Sequence, residues 1–428
     1  MIKLILSTIL LFSVALNLSA QPHFAYEQYF TNERLRLDIT FAGDVNSQSL
    51  FLENLHKEEF WSGSKTTLID PFNYGEYYYK VFDKNGTLIF SKGFNTLFQE
   101  WRTTAEAKRV RKSFSSSYWI PFPKEPVKVV FYERVKATGE FSELDQFTID
   151  PQDKLISNEV ENDFKINSVV YNGDPATKVD LLFIAEGYTQ VQMDKFRADA
   201  ERFAGYLFDT EPYKSRKGDF NIWSVESVSK DSGTDIPHQD IWKNTILSSN
   251  FYTFYIDRYM TVSDQKGVAS AASNAHCDAL YVIVNTEKYG GGGIYNFYGL
   301  SMADNRVAAE VFVHEFGHSF AGLADEYYTS EVAYEEFYNL KVEPWEPNIT
   351  TMVDFSKKWE SMITQGTPIP TPNDVSYNDV VGLFEGGGYM TKGIYRPVYN
   401  CRMKANNAES FCPVCTAAIN RMIDYYIK

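Results

Sequence analysis

The stretch Glu310-Val-Phe-Val-His-Glu-Phe-Gly-His-Ser-Phe-Ala-Gly-Leu-Ala-Asp-Glu326 carries the pattern H-E-x-x-H at His314, Glu315 and His318. Read as a helix, it sets the two imidazoles four residues apart, about 40° around the axis and about 6 Å along it, so both reach one metal ion. Zinc suits them, because it takes imidazole nitrogen and, in catalytic sites, keeps three protein ligands and an open fourth position for water. Glu315, about 100° further round, falls beside that water as general base. With only six histidines in the chain, chance is a poor explanation of the pattern. Val307, Ala308, Ala309, Val311, Phe312, Val313, Phe316 and Phe320 put apolar side chains nearly all round the axis. Such a helix belongs in the middle of a domain, where polar groups are costly unless partnered. Asp304 or Asn305 is the expected cap at its start, and Gly322 the left-handed stop at its end. The chain can turn there and bring Asp325 or Glu326 back towards the histidines.

Other motifs flank the helix: Tyr289-Gly-Gly-Gly-Gly-Ile-Tyr-Asn296 before it, and Gly393-Ile-Tyr-Arg-Pro397, Asn400-Cys-Arg-Met403 and Phe411-Cys-Pro-Val-Cys415 after it. Together with the helix they resemble the immunoglobulin A peptidase family of secreted bacterial zinc metallopeptidases. The resemblance covers most of residues 170 to 428, and the region before it resembles the β-rich N-terminal domain that accompanies this family. It implies a metzincin-like catalytic domain, with a third ligand following a glycine after the second histidine and a methionine turn beneath the metal. Against the usual spacing H-E-x-x-H-x-x-G-x-x-[HD], Gly322 and Asp325 each fall one residue late, with Ala321 and Ala324 at the expected positions. The interval from Gly322 to Asp325 is the usual one, which favours Asp325 over Glu326 as third ligand. For the methionine turn the resemblance favours Met403 over Met390.

Outward from this centre the chain divides into four. Residues 1–20 read as a secretory signal peptide: Lys3 precedes an apolar run from Leu4 to Leu16, too short to span a bilayer, and small residues Ser19 and Ala20 follow. The protein is therefore expected to be secreted, periplasmic or held at the cell surface. Residues 21–150 have mostly period two, with Leu35, Leu37, Ile39 and Phe41 alternating with polar residues and Asn85-Gly86 as a hairpin turn, which predicts an antiparallel β-sandwich. Its many aromatics, Trp61, Tyr77 to Tyr79 and Trp101 among them, fit core packing better than a ligand-binding face. Residues 151–168 are polar and suit a linker, and 169–428 form the catalytic domain.

In that last part, strands at Val179 to Ala185, Phe220 to Val228 and Leu280 to Val284 alternate with a Thr189-capped helix running to about Phe208 and a helix around Ile246 to Tyr259. The alternation predicts a mixed, largely parallel sheet ahead of the active-site helix, so the whole is a multidomain chain of α+β and α/β type. The four glycines from Gly290 are placed where metzincin-like peptidases carry an edge strand that holds an extended substrate. His238 and His276 belong to no chelating motif and read as structural or surface residues. Asn348-Ile-Thr350 matches the glycosylation triplet. The four cysteines, Cys277, Cys401, Cys412 and Cys415, read as disulfides or structural thiols; a full second zinc site would need Cys277 and Cys401 to converge on Cys412 and Cys415.

Forty-one basic against 56 acidic residues give a net charge of −15, which disfavours a nucleic-acid or anionic-membrane partner. No run after the signal peptide approaches the ~18 apolar residues of a membrane span. The sequence thus reads as an exported zinc endopeptidase acting on protein or glycoprotein substrates, immunoglobulin A being the substrate the resemblance suggests. A zinc amidohydrolase of cell-wall peptides and a non-catalytic surface binding protein with a structural zinc are the alternatives. No feature sets an oligomeric state.

Overall fold

The computed structural model describes residues 25–328 and 337–428; the expected signal peptide lies outside them. The described chain is mixed α/β, with several sheets and few helices. After a four-residue helix α1 (Tyr26–Tyr29) come strands β1 (Phe30–Gly43), β2 (Gln48–Glu58), β3 (Tyr77–Phe82) and β4 (Leu88–Phe94), helix α2 (Leu97–Arg102), then β5 (Lys112–Pro123), β6 (Val127–Arg134) and β7 (Phe141–Ile149). They form two antiparallel sheets, β2-β1-β5 and β4-β3-β6-β7. The predicted alternation supplies one shared core: Leu35, Leu37, Ile39 and Phe41 of β1 pack with Tyr77, Tyr79 and Val81 of β3 and Val129 and Phe131 of β6. Tyr77 to Tyr79 and Trp101 are buried, so these aromatics are packing residues.

The polar residues between them depart from the expected pattern. Arg34, Arg36 and Asp38 are only 2%, 1% and 2% exposed, because the outer face of β1 is covered by the rest of the chain. Glu58 joins both guanidiniums, at 2.5 Å to Arg34 Nε and 3.1 Å to Arg36 Nη1. Arg34 also donates to the carbonyls of Ala272 (2.8 Å) and Ser273 (3.2 Å), across the seam to the second half.

That half is built on a six-stranded sheet from β8 (Ile166–Val170), β9 (Val179–Glu186), β10 (Phe220–Val225), β13 (Ala279–Val284), β14 (Gly291–Gly293) and β15 (Tyr298–Met302); the two-residue strands β11 (Ser249–Asn250) and β12 (Thr261–Val262) pair apart from it. Its order is β14-β15-β13-β9-β10-β8, parallel through the middle and antiparallel at both edges. The strand β8 begins inside the stretch read as a linker. Each central strand is apolar on both faces because both are covered. Leu181, Phe183 and Ala185 face helices α3 (Met193–Asp209), α5 (Ala308–Ala321) and α6 (Pro413–Tyr426), and Leu182 and Ile184 face α4 (Gln265–Ala272). A hairpin of β16 (Phe384–Gly387) and β17 (Met390–Arg396) lies in the C-terminal region. Among the described residues no helix is long and apolar enough to cross a membrane.

The helix expected around Ile246 to Tyr259 is absent. The buried carboxylate of Glu186, at the end of β9, accepts the backbone N–H groups of Leu247 (3.0 Å) and Ser249 (2.8 Å) and the Thr245 hydroxyl (2.5 Å). Those donors hold the chain in an irregular course, with left-handed Ser248, Tyr252, Phe254 and Tyr255. A helix does form slightly later, α4, where Asp264 accepts from Gly267 N at 2.8 Å.

Candidate active site

The pattern H-E-x-x-H lies on α5, packed through Phe312 and Phe316 against the sheet and α3. The helix start differs from expectation: Val307 occupies the cap with no side-chain bond, and Asn305 instead accepts from Val307 N at 3.2 Å and, through its carbonyl, from Ala308 N at 3.0 Å. The end is as expected, with Gly322 left-handed at φ 64° and its N–H on the His318 carbonyl at 3.1 Å.

Beyond that turn the chain supplies both an acceptor and a carboxylate to the histidines. The Leu323 carbonyl lies 2.5 Å from His318 Nδ1, and the Arg402 carbonyl 3.0 Å from His314 Nδ1. A carbonyl can only accept, so each Nδ1 carries a proton and each Nε2 is the ring nitrogen left facing the site. The two Nε2 atoms are 3.1 Å apart, and Asp325 Oδ1 is 3.0 Å from one and 3.3 Å from the other. Asp325 Oδ1 is buried and, among the described residues, has no hydrogen-bond partner apart from these two imidazoles. Three electron-rich atoms in so small a triangle repel one another unless they share a cation, whether a proton or a metal ion. In the metal-free protein, burial disfavours charge on both Asp325 and His318. Their mutual attraction outweighs it, raising His318 to about 9 and holding Asp325 well below the usual carboxylate range.

Glu315 lies beside this triangle, its carboxylate oxygen within 4.8 Å of the histidine nitrogens. Burial raises its pKa against the opposing pull of His314 and His318. Its neighbour is the glycine run. A Cβ on Gly291 would sit 2.9 Å from Glu315 Oε1, and one on Gly293 would sit 2.5 Å from the Glu315 carbonyl oxygen and 2.9 Å from His318 Cβ. These glycines are therefore a requirement of close packing against α5, not a flexible loop. The strand is an edge strand, as expected, but its outer side is not fully open: Gly291 N–H donates to the Arg258 carbonyl at 3.3 Å, and its carbonyl accepts from Met260 N at 3.2 Å.

The other candidates fall apart from one another. Glu326 turns away from the histidines, its Oε1 accepting from Asn348 Nδ2 at 3.0 Å and Cys415 Sγ at 3.2 Å. Met403 is buried against the helix, its sulfur 2.9 Å from where a Gly317 Cβ would be, whereas Met390 packs with Ala324, Ile349 and Ile394 in a separate cluster. His238 pairs with Asp257 at 2.8 Å, and His276 meets Ser62 at 3.0 Å. His56 lies 3.2 Å from Asp38, and none of the three approaches the site.

Two residues near the metal-ligand candidates were not read from sequence as part of the site. Tyr389, at the tip of the β16–β17 hairpin, donates its hydroxyl to Asp325 Oδ2. It is left-handed at φ 66° between positive-φ Gly388 and β17, and the preceding glycines were its only sequence signal. Asn348 accepts from Ala324 N at 2.7 Å and donates to Ala324 O at 2.9 Å, clamping the backbone next to Asp325. Fully buried and bonded in this way, Asn348 cannot serve as the glycosylation acceptor its triplet suggested. The cleft over the histidines has a volume of about 420 Å³ and is walled by Tyr295, Tyr327, Tyr338, Trp345 and Tyr389. Asn95 and Glu100, from the N-terminal sheet region, complete it.

A sequence profile of the family described as IgA Peptidase M64 matches residues 168–377 and 373–423, and one described as Peptidase M64 N-terminus matches residues 25–144. No individually curated protein matches the chain. The matched segments cover both sheet regions and all of the histidine site, and the chain belongs to the IgA peptidase M64 family.

Proposed function

We propose that this peptidase is an exported zinc-dependent endopeptidase, with His314, His318 and Asp325 as zinc ligands and Glu315 as general base. The observation that carries the reading is the convergence of two imidazole Nε2 atoms and a buried carboxylate oxygen within 3.3 Å of one another. Ligands at about 2.0–2.1 Å around a tetrahedral zinc lie about 3.3 Å from each other, so the observed spacing fits that ion. When bound, zinc supplies Lewis acidity that polarises the scissile carbonyl and acidifies a water molecule.

The remaining work belongs to the chain. The Leu323 and Arg402 carbonyls hold the imidazoles in one tautomer, and Asn348 and Tyr389 hold Asp325 from its backbone and its free oxygen. Glu315, with its pKa raised by burial, accepts the proton of the attacking water and returns it to the leaving amine. The aromatic cleft excludes water from a bound peptide. Met403 beneath the histidines and Asp325 after Gly322 support a metzincin-like arrangement. We place the division of labour at a signal peptide of residues 1–20, a sandwich domain of 21–150, a linker of 151–168 and a catalytic domain of 169–428. The substrate class is exported or host protein, of which immunoglobulin A, named in the family description, is the first to test.

The test is cleavage of a panel of secreted host proteins, immunoglobulin A included, beside unfolded proteins and cell-wall peptides, with metal content measured for wild type and Glu315→Gln. Cleavage of proteins by wild type alone, with zinc retained in both, is the expected result. Hydrolysis confined to cell-wall peptides would overturn the substrate class, and a wild type that holds no metal would overturn the site.

A further inference from the structure

A second constellation of ligand atoms lies behind the cleft floor. Glu326, Cys401, Cys412 and Cys415 each present one ligand atom, and all four atoms lie within 4.8 Å of one another. The residues come from three separate stretches of chain and are 0%, 1%, 6% and 0% exposed. No disulfide joins them. Cys277, the residue a sequence-based zinc site would have needed, is elsewhere, beside Arg34 at 3.1 Å.

The spacing separates the chemical possibilities. Cys401 Sγ and Cys415 Sγ are 3.8 Å apart. A disulfide holds its sulfurs at about 2.05 Å, whereas two thiolates at about 2.3 Å from a tetrahedral zinc lie about 3.8 Å apart. Backbone N–H groups already point at two of the sulfurs, Cys412 N at Cys401 Sγ (3.3 Å) and Cys415 N at Cys412 Sγ (3.4 Å), as donors do around thiolate ligands. The second carboxylate oxygen of Glu326 is buried with no hydrogen-bond partner among the described residues, a costly arrangement for a carboxylate without a cation to neutralise it. Three thiolates and a carboxylate around a dication leave a net charge of about −2, and the cationic Arg396 and Lys404 both lie near enough to act on Glu326.

We propose that Glu326, Cys401, Cys412 and Cys415 form a second cation site, of the structural zinc class, distinct from the histidine site. Four protein ligands close such a site and leave no position for substrate or water. Its place in the chain gives it a purpose. Glu326 is the neighbour of Asp325, and its N–H donates to the Met403 carbonyl at 2.8 Å. Cys401 is the neighbour of Arg402, whose carbonyl orients His314. Cys412 and Cys415 sit at the start of α6, with Cys412 as its cap. One ion therefore ties the segment carrying the third ligand and the segment orienting the first histidine to a rigid helix end. Uptake displaces the thiol protons to solvent and involves no change of oxidation state.

The test is metal analysis of the full chain purified without chelator, as wild type, His314→Ala/His318→Ala and Cys412→Ser/Cys415→Ser. The expected result is about two zinc equivalents in wild type and about one in either double variant. Cobalt loaded into the histidine variant should give a thiolate-to-cobalt charge-transfer band, a readout that stands even if the cysteine variant does not fold. One equivalent in wild type that persists in the histidine variant, with the cobalt band, would keep the second site and overturn the catalytic one. One equivalent in wild type and none in the histidine variant would overturn the proposal. So would a histidine variant whose cobalt lacks the band, or a disulfide among Cys401, Cys412 and Cys415 found by peptide mapping.

Discussion

Glu315, Tyr389 and His318 touch the same small volume but act on different quantities. Replacing Glu315 by Gln keeps its size and removes its basicity, so metal content should stay constant while kcat on a peptide substrate falls by about 10²–10⁴. Tyr389→Phe removes one hydrogen bond to Asp325 Oδ2, and zinc affinity measured by chelator competition should weaken by about 10–100-fold with the fold intact. His318 sets the pH dependence. Its pKa in the metal-free protein is raised to about 9, so the stability it contributes is complete below the unfolded imidazole value of about 6.5 and is lost as pH rises through about 9. Metal has to displace that proton, so zinc affinity should rise by up to about tenfold per pH unit between about 7 and 9 and then level off. An affinity that does not change across that range would show His318 to be neutral before metal arrives. His314, Glu315 and His318 were legible because five consecutive residues on one helix hold two histidines and a glutamate. Asn348 and Tyr389 were not, since each meets the Asp325 segment only through space, 24 and 64 residues along the chain.

The glycine strand and its helix form one packing unit, and the same substitution has opposite effects in and out of it. Gly293→Ala would drive a methyl into the α5 backbone, costing about 1–3 kcal/mol and lowering kcat through displacement of Glu315 and His318. Among the described residues, nothing lies within 4 Å of a would-be Cβ on Gly205 of α3, so Gly205→Ala should stabilise the protein by about 0.5–1 kcal/mol and leave turnover unchanged. Thermal unfolding and peptide cleavage of the two variants side by side check both. Strands β9 and β13 could be read from their apolar runs because burial on both faces leaves little other choice. The irregular stretch after Thr245 could not, because its conformation is imposed by a carboxylate nearly sixty residues earlier, at Glu186. Helix α4 escaped notice for a local reason: Gln265–Ala272 is short and built mostly of small residues, which give almost no period.

At the scale of the whole molecule, the seam between the two halves is ionic as well as apolar. Glu58→Ala would take from buried Arg34 the carboxylate it is paired with, while Arg36 keeps Asp38 and Glu161, and urea unfolding should register a loss of about 3 kcal/mol. A loss near zero would mean that water enters the seam and solvates the guanidiniums. Here the sequence was misleading in a specific way: Arg34, Arg36 and Asp38 alternate with apolar neighbours as solvent-facing residues do, and period two cannot distinguish water from the polar surface of another part of the same protein. The seam runs close to the cleft, where Asn95 N donates to the Tyr295 carbonyl at 3.0 Å and Asn296 Nδ2 to the Gly93 carbonyl at 2.7 Å. Asn95 and Glu100 thereby become part of the cleft wall. Whatever peptide lies in the cleft therefore meets both ends of the gene at once, the histidines from one and Asn95 and Glu100 from the other.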